Sequence, residues 1–196
     1  MLFYASLPPL CVIPVQLHGA VVLVFQFGFL LSEAILIFSP QISILASGTR
    51  KTRVFVHWAG AVAALICVVV GLATVWWNKE LRNKSHATTW HGIVGYATVA
   101  YLGMQCCAGT MVKYPSVVKN MVRFADLKMY HATSGLALFT LGCVSLVLGM
   151  YSNYFNRLVT GTVWYACVGC VAFLALTMTK QVTSAYLQKP APVAKK

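Results

Sequence analysis

The sequence predicts an all-α, polytopic transmembrane helical bundle, and three observations carry that prediction. Apolar residues make up 59% of the 196-residue chain and charged residues only 9%, against roughly a quarter charged in an ordinary soluble domain. The 15 Lys and Arg and the 3 Asp and Glu are too few to clothe a water-facing surface, and they gather in short clusters. Between the clusters run five apolar segments, each long enough to cross about 30 Å of hydrocarbon as a helix.

The five predicted spans run from His18 to Phe38, Val54 to Trp77, Trp90 to Met111, Met129 to Tyr151 and Leu158 to Thr179. Ser39-Pro40 closes the first, because proline cannot extend a helix. Trp76-Trp77 sets an aromatic pair at one interface, and Tyr151, Tyr154 and Phe155 mark another. Residues 1–17 form a divergent apolar N-terminal segment containing Pro8, Pro9 and Pro14, too short to cross. It lacks the basic start and small-residue cleavage site of a signal peptide. Residues 18–187 read as one transmembrane domain and 188–196 as a basic tail; no internal repeat is legible in the letters.

Charge fixes the expected orientation. Spans alternate direction, so one side receives Arg50, Lys51, Arg53, Lys113, Lys119, Arg123, Lys128, Lys180, Lys189, Lys195 and Lys196. The other receives Lys79, Arg82, Lys84 and Arg157. The positive-inside bias puts the first group and the C-terminus in the cytosol. A formal net charge of +12 does not mark a nucleic-acid surface here, since no basic helix, zinc spacing or aromatic-basic interleaving accompanies it. The seven cysteines lie almost entirely inside apolar runs and read as small buried hydrophobes.

Four of the five histidines stand near the first turn of a predicted span: His18, His57, His91 and His131. Alternation places His18 and His91 toward the outer face and His57 and His131 toward the cytosolic face. A histidine inside a bilayer is costly unless it pairs or ligates. Two imidazoles facing each other across an apolar bundle are what a six-coordinate b-type haem needs. Two such pairs at different depths would make two haem b sites between the helices and a wire for electrons. An interfacial histidine with its polar edge among headgroups explains any one of the four alone, but not two same-side pairs. Zinc lacks the further Asp, Glu or His that a tetrahedral set requires.

The chain resembles the cytochrome b561 family. The matching stretches are Ser32-Glu33-Ala34-Ile35-Leu36-Ile37-Phe38-Ser39-Pro40, His57-Trp58, and His86 through Trp90-His91-Gly92. They continue with Leu127-Lys128-Met129-Tyr130-His131-Ala132-Thr133-Ser134-Gly135 and Gln181-Val182-Thr183-Ser184-Ala185-Tyr186-Leu187. The resemblance implies two haems b, with His57, His91 and His131 as axial ligands and His18 as the candidate for the fourth. It implies electrons taken from cytosolic ascorbate and given to monodehydroascorbate or a ferric chelate on the other side, a transmembrane ferric reductase. An endomembrane location is expected, and a homodimer is compatible with the family. Family members have six spans and read Trp-His-Pro where this chain reads Leu17-His18-Gly19, so the N-terminus is expected to be truncated or divergent. Two alternatives stay open: a single-haem form that cannot complete transfer, and a non-redox polytopic protein packed through its glycines.

Arg50, Lys51 and Arg53 precede His57, and Arg123 and Lys128 precede His131, bringing cations beside the same expected haem. Ascorbate is a monoanion at neutral pH, and such a rim would concentrate it and hold it by charge-assisted hydrogen bonds. Topology signalling would place the same charges without a site, and Arg53, one turn before His57, also suits a haem propionate. His86, in the outer connector with Arg82 and Lys84, is the candidate for docking the outer acceptor. Glu33 is the one acid well inside a span, about 22 Å along the helix from His18, and is expected to make a structural pairing. Cys167-x-x-Cys170 lies in an apolar helix without aqueous access for dithiol chemistry. Asn83-Lys84-Ser85 is a formal glycosylation sequon close to the membrane.

Overall fold

The structure, a computed structural model, describes residues 26–39, 43, 48–118 and 122–186. Among the described residues all regular structure is helical. A π-helical turn, Gln26–Leu31, runs into α1, Ser32–Leu36. Beyond it come α2 (Arg50–Leu81), α3 (Trp90–Lys113), α4 (Phe124–Met150), the short α5 (Asn153–Leu158) and α6 (Gly161–Tyr186).

Local chemistry sets these ends. Thr49 caps α2 by accepting from the Thr52 N–H at 3.3 Å, Thr89 caps α3 through Gly92 at 3.1 Å, and Ser152 caps α5 through Phe155 at 3.2 Å. At its far end α2 closes on Asn83, which takes φ 49. From there Lys84 N–H reaches Lys79 O at 2.9 Å and Asn83 N–H reaches Glu80 O at 3.1 Å, a Schellman closure in which asparagine supplies the left-handed residue.

The helices outrun the predicted spans. Thr49 starts α2 four residues early and the Asn83 closure ends it four residues late. Leu158, the predicted first residue of the last span, instead ends α5. The chain turns there, and α6 starts at Gly161, where φ is 61. The predicted first span is described only from Gln26, and His18 lies outside the described residues.

Three of these helices, Arg50–Leu81, Phe124–Met150 and Gly161–Ala185 of α6, are long and apolar enough to cross a membrane. At 24 residues, α3 has the length, about 36 Å, with His91, Thr98 and Gln105 mixed into its sequence. The bundle turns large apolar side chains outward: Ile66, Val70, Met104, Phe173 and Leu176 are all exposed. A soluble monomer does not carry so much apolar surface, whereas a multi-pass membrane protein presents it to lipid. Trp76, Trp77, Trp90, Tyr151 and Tyr165 are exposed at one end and Phe55, Tyr114, Phe124 and Tyr130 at the other, the placement of two interfacial aromatic belts. The second end, the basic end, carries Arg50, Lys51, Arg53, Lys113, Arg123 and Lys128.

Among the described residues the core knits four parts of the chain together. Leu31 and Leu36 meet Leu102 of α3, Leu138, Phe139 and Cys143 of α4, and Val171 and Met178 of α6. Phe139, Ile37 and Met178 are fully buried. Phe139→Ala would leave a cavity that neighbours cannot fill, so it is expected to destabilise the fold by about 3–5 kcal/mol. A lowered thermal unfolding midpoint in detergent, against an unchanged one for the exposed Leu176→Ala, checks this.

Candidate functional site

The largest interface, between α3 and α4, has a regular register. A Cβ placed on Gly149 would stand 3.0 Å from His91, one on Gly95 3.5 Å from Ser145, one on Gly135 2.8 Å from Gln105, and one on Gly109 3.0 Å from His131. In each of the four pairs residue i of α3 meets residue 240 − i of α4, so the helices are antiparallel and in constant register. The same pairs exchange under a shift of forty residues: His91, Gly95 and Gly109 correspond to His131, Gly135 and Gly149. The two helices are thus halves of a repeat related by a local two-fold axis. It escapes a reading of the letters because only its histidines, glycines and a few small residues persist.

Each half seats one histidine over a glycine of the other, eighteen residues along. Eighteen residues of helix are about 27 Å, so His91 and His131 lie at opposite ends of the pair, as alternation predicts. The glycines matter sterically: any side chain at 109 or 149 would occupy the space of an imidazole.

The structure brings His57 and His131 together at the basic end. Their ring centroids are 6.1 Å apart and the rings are perpendicular. His57 Nδ1–H donates to the Ala34 carbonyl of α1, and His91 Nδ1–H to the Ser145 carbonyl at 2.8 Å. A carbonyl only accepts, so both rings carry their proton on Nδ1 and leave Nε2 free to ligate. His131 Nδ1 faces the Gln105 amide nitrogen instead, at 3.1 Å. Two imidazoles bound through Nε2 at about 2.0 Å on opposite sides of one iron would hold their centroids roughly 6.3 Å apart. The ring separation therefore fits a shared haem iron, with His131 needing its proton on Nδ1 rather than on Nε2. Among the described residues no three of His, Cys, Asp and Glu gather around a common point; an axial pair needs only two.

A recurring device holds three of the described histidines. His57, His91 and His131 each direct Nδ1 at a residue of an antiparallel neighbour, Ala34, Ser145 and Gln105 respectively. The glycine about one turn later, Gly60, Gly95 and Gly135, packs against that same residue. The sequence sign is His followed by Gly three or four positions on; His18 lacks it, with Val21 and Val22 there.

The predicted substrate residues fare differently. Arg53 is half-buried and its Nε is buried without a hydrogen-bond partner. Lys51 is exposed. Lys128 sits 4.7 Å over the Phe124 ring. Arg123 is taken up by Asp126, at 2.7 and 3.2 Å, whose hydrogen bond and charge hold the guanidinium above the ordinary arginine pKa. His86 is not a free loop residue: it stacks on Trp76 with centroids 3.8 Å apart and bonds Glu80 at 2.8 Å, while its Nδ1 is buried without a partner. Glu33 is buried and accepts from the Ser43 hydroxyl at 2.8 Å. The cysteines of the C-x-x-C are free, Cys170 being exposed.

Several site residues had no sign in the sequence. Lys113 stands 3.6 Å over the Trp58 ring, with Phe55 and Tyr114 rings at 5.1 and 5.2 Å. Trp58 is fixed by donating to Thr110 Oγ1 at 3.1 Å. Gln105 and Ser134 join His131 through short polar contacts. Only the antiparallel register could have revealed them.

Long apolar helices around a polar seam that brings His57 and His131 together define a multi-pass membrane helical bundle. The chain belongs to the cytochrome b561 family: the family profile described as eukaryotic cytochrome b561 matches residues 17–156. Transmembrane reductase CYB561D2 of Bos taurus is 43% identical over 169 residues, 86% of this chain and 76% of that protein. The Homo sapiens protein of the same name is 42% identical over the same shares. No solved structure matches the chain significantly. Membership links the chain to transmembrane electron-transfer proteins and a redox role.

Gly103 and Gly149 offer a controlled contrast, since a Cβ at Gly103 meets nothing within 4 Å. Gly103→Ala is expected to stabilise the fold by about 0.5–1 kcal/mol through helix propensity. Gly149→Ala is expected to lower stability, because it displaces the His91 ring; paired thermal midpoints in detergent check the opposite signs.

Proposed function

We propose that the chain carries electrons across a membrane from cytosolic ascorbate to monodehydroascorbate or a ferric chelate on the other side. The 6.1 Å perpendicular pairing of His57 and His131 carries this reading, and the reductase names of the 42–43% identical relatives support it. Two haems b, when bound, supply reversible one-electron chemistry at two depths. His57 and His131 hold one; His91 and His18 hold the other.

The chain's own residues do the rest. The carbonyls of Ala34 and Ser145 fix the tautomer and plane of His57 and His91. The unpartnered Nε of Arg53 and the Lys128 ammonium bind ascorbate or a propionate at the basic end, with Lys51 adding field rather than contact. Arg123, held by Asp126, shapes the rim. The wet, basic mouth accepts the proton that the ascorbate radical releases. At the opposite end, the His86 ring against Trp76 receives the outer acceptor. The C-terminus is cytosolic in this arrangement.

Purified protein should show a bis-histidine b-type spectrum reduced by ascorbate, at a haem-to-protein ratio near two. His57→Ala and His131→Ala are each expected to remove the same haem and ascorbate reduction with it, while membrane insertion persists. His18→Ala is expected to lose the other haem and stop transfer from ascorbate inside vesicles to ferricyanide outside. A colourless wild-type protein made with ample haem overturns the reading. Arg53→Gln and Lys128→Gln should each raise half-saturating ascorbate about tenfold or more, the scale of a lost charge-assisted hydrogen bond at about 1.5–3 kcal/mol; initial rates of haem reduction measure it.

A further inference from the structure

The local two-fold breaks at one position beside the histidines. Position 105 corresponds to position 145 under the forty-residue shift, yet one is Gln and the other Ser. His91 finds the main-chain carbonyl of Ser145, and His57 finds that of Ala34. Of His57, His91 and His131, only His131 directs Nδ1 at a side chain, the Gln105 amide. That amide is tied at both atoms: Nε2 donates to the His131 carbonyl at 2.6 Å, and Oε1 accepts from Ser134 Oγ at 2.8 Å.

This arrangement suits a ring protonated on Nε2, because an amide nitrogen donates to Nδ1 and cannot accept from it. Ligation through Nε2 demands the reverse, a proton on Nδ1 and an acceptor facing it. The three residues can satisfy that demand without a new partner. If the amide turns over and swings clear of the His131 carbonyl, which would repel an oxygen in the place of Nε2, Oε1 accepts from Nδ1–H and Nε2 donates to Ser134 Oγ. The Ser134 hydroxyl, already 3.2 Å from the His131 carbonyl, then serves the oxygen that Nε2 has left. Each member of the chain can both donate and accept, so the direction reverses as a unit.

Resting on the proposed haem ligation, we infer that Gln105 is a positioning residue for His131 whose amide turns over on ligation and sets how strongly that imidazole donates to iron. A stronger acceptor at Nδ1–H makes the ring a better donor, favours ferric iron and lowers the midpoint potential; a missing acceptor raises it. The haem at His57 and His131 is therefore tuned by a replaceable side chain, whereas the described ligand of the other haem, His91, is fixed by main chain. Gln105 is the residue that makes two symmetry-related sites unequal.

The test is a potentiometric titration of the α-band in the wild type, Gln105→Glu and Gln105→Leu, with haem stoichiometry and low-temperature EPR of the ferric forms. The component belonging to His57 and His131 is assigned by its absence in His57→Ala. The near-isosteric Glu is expected to lower that component's midpoint, and Leu to raise it. The other component and its EPR signal should stay in place. If Leu loses the haem, the Glu variant decides alone: a retained haem with a lowered midpoint supports the inference. Midpoints that do not move, that move the same way in both variants, or that move equally for both components overturn it. So does loss of the haem from both variants, which marks a packing role only. A wild type without haem instead overturns the functional reading itself.

Discussion

The constant antiparallel register of α3 and α4 is the constraint on which the rest depends. It is held by glycines that let the backbones approach, and it puts each of two histidines over a glycine of the facing helix. With that register set, His91 and His131 fall at opposite ends of one pair, about 27 Å apart along the axes. The α1 carbonyl of Ala34 then brings His57 to His131 by the same pattern of a tethered ring and a glycine one turn on. One packing rule, used three times, supplies most of the candidate site.

Electrostatics at the basic end are less uniform than the charge count implies. Several cations lie there, but Arg123 is matched by Asp126, Lys128 rests on Phe124 and Lys113 is drawn over Trp58, Phe55 and Tyr114. Aromatic faces attract a cation without neutralising it, so Lys113 and Lys128 keep their field while losing freedom. Arg53 differs, as a half-buried group with an unsatisfied Nε one turn from His57. Among the described residues no hydrogen bond offsets the desolvation of that Nε.

The helices and three of the four histidine placements are legible in the sequence, because hydropathy and alternation are local properties. Helix ends are less so: Thr49 and Asn83 extend α2 through hydrogen bonds that hydropathy does not weigh. Leu158 reads as part of the last span because it is apolar and adjoins Val159, while the turn that separates α5 from Gly161 leaves no mark in hydropathy. Gln105, Ser134 and Lys113 stay hidden because their partners come from other helices, and no spacing along one strand of text encodes a contact across two. His86 reads as a loop residue; its stack on Trp76 depends on the Schellman closure that folds the connector back on α2.

The forty-residue repeat also bears on which changes in length the protein tolerates. The shift between its halves contains one helix and one connector, but the register fixes only distances within helices, eighteen residues from each histidine to the glycine that seats its counterpart. An insertion between Lys113 and Arg123 leaves every such interval untouched. One residue added between Gly95 and Gly109 turns the remainder of α3 by about 100° and parts His131 from its seat while His91 keeps its own. Length changes are therefore tolerated in the connector and costly in the two helices, so that length polymorphism itself would trace the edges of the paired register.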